Sequence, residues 1–195
     1  PLAVAAQDFQ EGTHYRRLAE PVPTSTAPDK VEVVELFWYG CPHCFAMEPT
    51  LNKWLENAKP PAAEFVRIPA ALSRSWEVHA RLYYTAEALG VLDQLHGEIF
   101  EAIHVQRLPL RSEDEAAEFF AKHGVDAAAF RKAFNSFDVD VNMRRSKELV
   151  KKYGVTGVPS IIVAGKYETN GSMAGSYETL FEIVNYLVQK ESGQG

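Results

Sequence analysis

The sequence predicts an α/β chain: a β–α–β unit, a block of helices, then an α–β–β–α unit. Three observations carry this reading. Two strand-like runs bracket one helical period between residues 31 and 68. Residues 72–137 hold few β-branched runs and repeat apolar residues at three- and four-residue spacing. The last third alternates a long helix, two short strands and a final amphipathic helix.

Residues 21–29, with Pro21, Pro23, Ser25 and Pro28, read as an irregular lead-in. Val31–Trp38 is nearly continuous in apolar residues, as a central strand buried on both faces requires. Pro42 suits the first turn of the next helix, where a missing N–H is harmless. Phe45, Leu51, Trp54 and Leu55 are candidates for its inner face, and Pro49 should kink it. Ala63–Ile68 is the next strand, ended by Pro69.

Within 72–137, Trp76, Ala80, Tyr83 and Tyr84 share one helical period; Leu95, Ile99 and Ile103 share another. Ser112 and Glu115 form a capping box, and Asp126 caps a helix carrying Phe130 and Phe134. Val139–Tyr153 is a long helix closed by Gly154. Val158–Val163 is a strand entered through Pro159, Ala164-Gly165-Lys166 is a turn, and Tyr167-Glu168 opens a paired strand. Leu180, Ile183, Val184 and Leu187 form the buried row of a helix over 177–190.

A chain of 195 residues with 46% hydrophobic and 24% charged residues can bury a real core, which excludes collagen-like and largely disordered classes. Its net charge is −6, and no Lys/Arg run exceeds two residues, so it lacks the basic stripe of a nucleic-acid binder. No apolar stretch approaches the ~18 residues of a membrane span. The chain begins at Pro1 without a basic segment leading into an apolar one, so an export signal has been removed or was never present.

The only two cysteines are Cys41 and Cys44, in Cys41-Pro42-His43-Cys44. A pair this close closes almost no loop and is a poor structural staple. Phe45 stands where a haem attachment motif needs His. Zinc would need two further ligands, yet no H-x3-5-H pair and no second C-x-x-C exists. A redox dithiol remains the strong reading, with an inert buried pair as the bland one. No metal and no cofactor is expected.

The Cys-Pro-His-Cys motif after Phe37-Trp38-Tyr39, the helical insertion, Gly157-Val158-Pro159 and the phrase Ala133–Phe137 together resemble the DsbA family of periplasmic thiol–disulfide oxidases of Gram-negative bacteria. The resemblance spans roughly residues 7 to 190. It implies the thioredoxin fold with a large helical insertion. The thioredoxin-fold domain then comprises 1–71 plus 138–195, and the inserted helical domain 72–137.

The resemblance and the helix start together give each residue a role. Cys41, at the helix N-terminus, is the nucleophile, its thiolate stabilised by backbone N–H groups and the positive dipole end. Cys44, one turn deeper, is the resolving thiol. His43 tunes the Cys41 thiolate electrostatically. Pro42 shapes the helix start. The Val158-Pro159 bond is expected to be cis and to face the cysteines, with Val158 offering backbone groups to an extended substrate. Glu35, six residues before Cys41, is expected beneath the site, exchanging protons with Cys44. Arg67 is its candidate partner on the next strand. Met47 and Met173 are weak candidates for the rim. His79, His96, His104 and His123 carry no special signal.

The implied partners are reduced or unfolded exported proteins and a membrane DsbB-like quinone reductase for reoxidation, with no nucleic acid. A periplasmic monomer with its signal peptide removed is expected. A reductase or isomerase on the same fold is one alternative; thioredoxins are shorter and carry Gly-Pro between the cysteines. A glutathione-using transferase with a similar insertion is another, and it would not require Cys44. Two departures bear on the groove: Pro49, more typical of the thioredoxin helix, and Gly40, where the family often carries an aromatic residue.

Overall fold

The computed structural model describes residues 8–193. The reading of Pro1–Ala6 lies outside them. The elements in order are β1 (Arg16–Arg17), β2 (Val31–Phe37), α1 (Pro42–Asn57), β3 (Ala63–Pro69), α2 (Arg74–Ala88), α3 (Leu92–His104), α4 (Glu113–Lys122), α5 (Ala127–Phe134), α6 (Phe137–Tyr153), β4 (Ser160–Val163), β5 (Tyr167–Asn170), α7 (Gly171–Ala174) and α8 (Tyr177–Glu191). The sequence order β–α–β, helices, α–β–β–α is reproduced, with the short β1 and α7 added.

Contacts divide the chain into two compact units. One takes the chain up to Glu35, Pro49–Val66 and the chain from Ser160 onward. Its sheet has the strand order β1-β5-β4-β2-β3. The apolar run of β2 places it between two neighbours, and all seven of its residues are buried. Glu32 is tolerated there because its carboxylate accepts the Ser25 N–H at 2.8 Å and the Ser25 hydroxyl at 2.7 Å.

The β4–β5 hairpin turns through Ala164 and Gly165, both at positive φ (55° and 62°). A Cβ on Gly165 would lie 2.0 Å from the Val22 carbonyl oxygen, so the position needs glycine for space as well as for φ. Leu180, Ile183, Val184 and Leu187 of α8 are all buried, as the period predicts. The Trp54 ring stacks on Phe181 at 5.1 Å, and its indole N–H donates to Asn185 Oδ1 at 2.8 Å.

The second unit holds Leu36–Glu48 and Arg67–Pro159. Its core is built from Phe37 and Tyr39 with Leu82, Leu95, Ile99, Phe100, Phe120 and Phe130, and it includes both cysteines. The predicted caps form. Asp126 Oδ1 accepts the Ala129 N–H at 2.8 Å, and Ser112 Oγ accepts the Glu115 N–H. Glu115 closes its box one residue early, accepting the Arg111 N–H rather than that of Ser112. Gly154 ends α6 in the left-handed conformation, φ 64°.

Candidate redox site

Strand β2 ends at Phe37, and the chain then makes one tight turn. The Cys41 N–H donates to the Trp38 carbonyl at 2.9 Å, so Tyr39 and Gly40 are the two middle residues of that turn. The turn delivers Cys41 to the position immediately before α1. Its carbonyl accepts the first helical bond, from the Phe45 N–H at 3.1 Å. Its Sγ accepts the Cys44 N–H at 3.3 Å. A side chain at the N-cap accepting from the third helical residue is ordinary capping geometry; here a sulfur does what Ser or Asp usually does. Pro42 fills the first helical position, as anticipated.

Cys41 and Cys44 are free cysteines in this structure. Cys41 keeps 6% of its surface and Cys44 none, while Pro42 and His43 are exposed. One sulfur is therefore reachable and the other lies behind it. The Cys41 thiol is pulled down to about 6. The chief cause is a hydrogen bond from the Cys44 thiol; burial opposes it, and the backbone N–H groups of Cys44 and His43 and the charge of His43 add to it. A thiol lowered to about 6 favours the thiolate at neutral pH.

Across from Cys41 lies the Val158 carbonyl oxygen, 3.5 Å from Sγ. The Val158-Pro159 bond is cis. Both residues are half-buried. Glu35 is fully buried on β2. Arg67 Nη2 lies 3.5 Å from Glu48 Oε1. Met47, a rim candidate on sequence, is fully buried instead, because the first turns of α1 present it inward; Met173 is half-buried.

Two histidines that carried no signal in the sequence touch the turn. The His96 ring lies with Nδ1 2.8 Å from the Tyr39 hydroxyl and Nε2 3.6 Å from Glu48 Oε1. Burial pushes its pKa down, which favours the neutral ring. His104 Nε2 lies 2.7 Å from the Tyr39 carbonyl oxygen, and its ring stacks on Phe45 with centroids 4.8 Å apart and planes 6° apart. His96, Phe100 and His104 are spaced i, i+4, i+8, one row along α3. That row was the available signal: two histidines flanking an aromatic on the same helical face.

Gly40 also has a geometric reason. A Cβ there would meet the Trp38 indole at 2.3–2.6 Å. Its absence lets the indole lie flat over the turn, stacked on Trp76 at 4.3 Å with planes 4° apart. Trp76 is thus half-buried against the turn and not an interior residue of the helical block.

Among the described residues no group of three or more His, Cys, Asp or Glu is placed to share a metal ion. Among them, too, no helix is long and apolar enough to cross a membrane.

Residues 62–182 match the family described as DSBA-like thioredoxin domain. The thiol:disulfide interchange protein DsbA of Pseudomonas aeruginosa is 43% identical over 190 residues, covering 97% of this chain and 89% of that protein. The chain belongs to the DsbA-like family. A crystal structure of Pseudomonas aeruginosa DsbA superposes with a TM-score of 0.90 at 43% identity, covering 97% of each chain. DsbA from Xylella fastidiosa superposes at 0.85 with 31% identity, covering 92% of this chain and 96% of that one. The fold is accordingly the α/β thioredoxin fold with a large helical insertion. As a DsbA-like protein, the chain is a thiol–disulfide oxidoreductase.

Proposed function

We propose that this chain works as an oxidase: it passes the Cys41–Cys44 disulfide to reduced exported proteins in the periplasm. The single observation that carries the direction is the Cys41 sulfur at the N-cap of α1, accepting the Cys44 N–H. Stabilising the thiolate stabilises the reduced enzyme, and a stable reduced form makes the disulfide a strong oxidant. The same thiolate is a good leaving group.

The cycle has two exchanges. A client thiolate attacks Cys41 Sγ of the disulfide. The S–S bond breaks, Cys44 leaves as a thiolate and takes up a proton, and a mixed disulfide joins client to Cys41. A second client thiolate attacks the client sulfur of that bond and releases the Cys41 thiolate. Two electrons pass from client to enzyme, and the client gains one disulfide. Glu35 is the acid we assign to proton exchange with Cys44. Val158 and Pro159 form the loop that holds the client's main chain, Val158 through its backbone groups. Such contacts read no sequence, which suits many clients. His43 strengthens the thiolate, and Pro42 fixes the helix start.

Reoxidation by a membrane DsbB-like quinone reductase completes the cycle in this reading, with the chain acting as a monomer. In domain terms, residues 72–137 are an insertion into a thioredoxin fold formed by 1–71 and 138–195.

The test is the Cys41–Cys44 equilibrium in glutathione buffers, followed by thiol trapping. An oxidase gives up its disulfide in weakly reducing buffer. A disulfide that persists until the buffer is strongly reducing reverses the direction of electron flow and removes the reading.

A further inference from the structure

We infer that helix α3 of the insertion sets the redox poise of the cysteine pair by gripping Tyr39 at both ends, through His96 at the hydroxyl and His104 at the carbonyl. The inference rests on the oxidase reading and deepens it. In it His104, His96 and Tyr39 are positioning residues.

Chemistry fixes the donor direction at His104, and the neighbouring Glu48 carboxylate favours one direction at His96. A carbonyl oxygen only accepts, so His104 carries its proton on Nε2 and donates to Tyr39 at 2.7 Å. For His96, a proton on Nε2 faces Glu48 Oε1 at 3.6 Å and leaves Nδ1 to accept the Tyr39 hydroxyl at 2.8 Å. Tyr39 is fully buried, and its ring packs edge-on against Phe37 at 5.1 Å and Phe100 at 4.9 Å. Its two polar ends thus meet two histidines of one helical row, with the aromatic Phe100 between them.

The grip acts on the cysteines through the turn. Tyr39 is a middle residue of the turn closed by the Cys41 N–H and the Trp38 carbonyl. His104 also stacks on Phe45, the residue after Cys44. One imidazole therefore holds the chain two residues before Cys41 and one residue after Cys44. It brackets the segment whose geometry places Cys41 Sγ on the Cys44 N–H.

The two redox states need this bracket unequally. In the dithiol form the clasped turn sets a Cys41 thiolate on the Cys44 N–H. In the disulfide form the same sulfur carries no charge for that N–H to stabilise. A clasp that holds this turn therefore favours the dithiol form over the disulfide form, and makes the disulfide more oxidising.

The test uses the full chain and three variants. His104→Phe keeps a flat ring for Phe45 but cannot donate. His104→Gln keeps a donor without the ring. Tyr39→Phe removes only the hydroxyl. The readouts are the equilibrium constant with glutathione and the thermal midpoints of the oxidised and reduced forms. Losing one buried hydrogen bond that favours one state predicts a disulfide roughly 3- to 10-fold less oxidising in His104→Phe. The same direction and a smaller shift are expected in Tyr39→Phe, and His104→Gln should stay within about twofold of the parent. The reduced form should lose more thermal stability than the oxidised form. Equal loss in both forms with an unmoved equilibrium constant in His104→Phe and Tyr39→Phe would mean a purely structural role and overturn the inference; so would a shift in His104→Gln as large as in His104→Phe. The parent protein's own constant tests the oxidase reading, and the ratio of variant to parent tests the clasp, so the two fail separately.

Discussion

The backbone N–H of Cys44 points at the sulfur of Cys41, 3.3 Å away. Cys44 thus stabilises the Cys41 thiolate in two ways, through its amide and through its thiol. Substitution separates them, because a side chain can be removed while its amide stays.

Cys44→Ala should raise the Cys41 pKa above about 6 while leaving it below that of an ordinary cysteine, since the thiol contribution goes and the amide contributions of residues 44 and 43 remain. Thiolate absorbance against pH measures this. The same variant should lose turnover, and its Cys41 thiolate, attacking the disulfide of an oxidised client and expelling one client thiolate, should stay trapped as a mixed disulfide because no second enzyme thiol can release it. Sustained turnover without Cys44 would point to glutathione transfer instead.

His43→Pro should make the disulfide less oxidising, because it removes both the backbone N–H and the side-chain charge of residue 43, each of which lowers the Cys41 pKa. The shift should be modest, since the hydrogen bonds from Cys44 and burial each act more strongly than either of them. Glutathione equilibrium of the variant beside the parent checks it, and an unchanged constant would remove His43 from the tuning groups.

The stability of the reduced form should depend on pH in a way the oxidised form does not. Cys41 has a folded value near 6 and an ordinary value near 9. A group depressed on folding contributes fully above its unfolded value and loses that contribution as pH falls through its folded value. Unfolding free energy of the reduced protein should therefore rise between pH 6 and 9, by up to about 1.4 kcal/mol per unit. The disulfide form has no thiol to titrate and should lack this slope. Denaturant unfolding of both forms across the range measures the difference.

Gly40→Ala should destabilise the protein by roughly 1–3 kcal/mol, because its Cβ overlaps the Trp38 indole and drives it from the Trp76 stack. Denaturant titration reads the loss. A simultaneous change in tryptophan emission would identify the displaced ring, and unchanged stability with unchanged emission would contradict the packing.

Much of this was legible in the sequence for physical reasons. Val31–Phe37 had to be a buried strand because both faces are apolar. The α8 row of Leu180, Ile183, Val184 and Leu187 had only one side to bury. Ser112 and Asp126 announce their helices because short oxygen side chains satisfy exposed N–H groups at helix starts. Cys41 and Cys44 stood out because their spacing leaves few other uses. What could not be read depends on contacts distant in sequence. Strand β1 has two arginines and no apolar signal; it exists because it pairs with β5, Arg16 opposite Glu168. His96 and His104 were read as unremarkable because Tyr39 lies more than fifty residues away, at separations of 57 and 65. Arg67 was read toward Glu35 alone; Glu48, one turn past Cys44 on α1, also offers it a carboxylate. Gly40 looked like a missing aromatic until the space it leaves proved to be occupied by Trp38.

The row His96–Phe100–His104 has a consequence for engineering. A tetrapeptide graft that moves only Cys41–Cys44 into a thioredoxin host carries the helix start and the proline with it. It leaves behind the helix that holds the residue two places upstream, and with it both imidazoles. Such a chimera would inherit the motif's reactivity without the scaffold that calibrates it. The transferable part is not four residues but the motif, its turn and one face of α3.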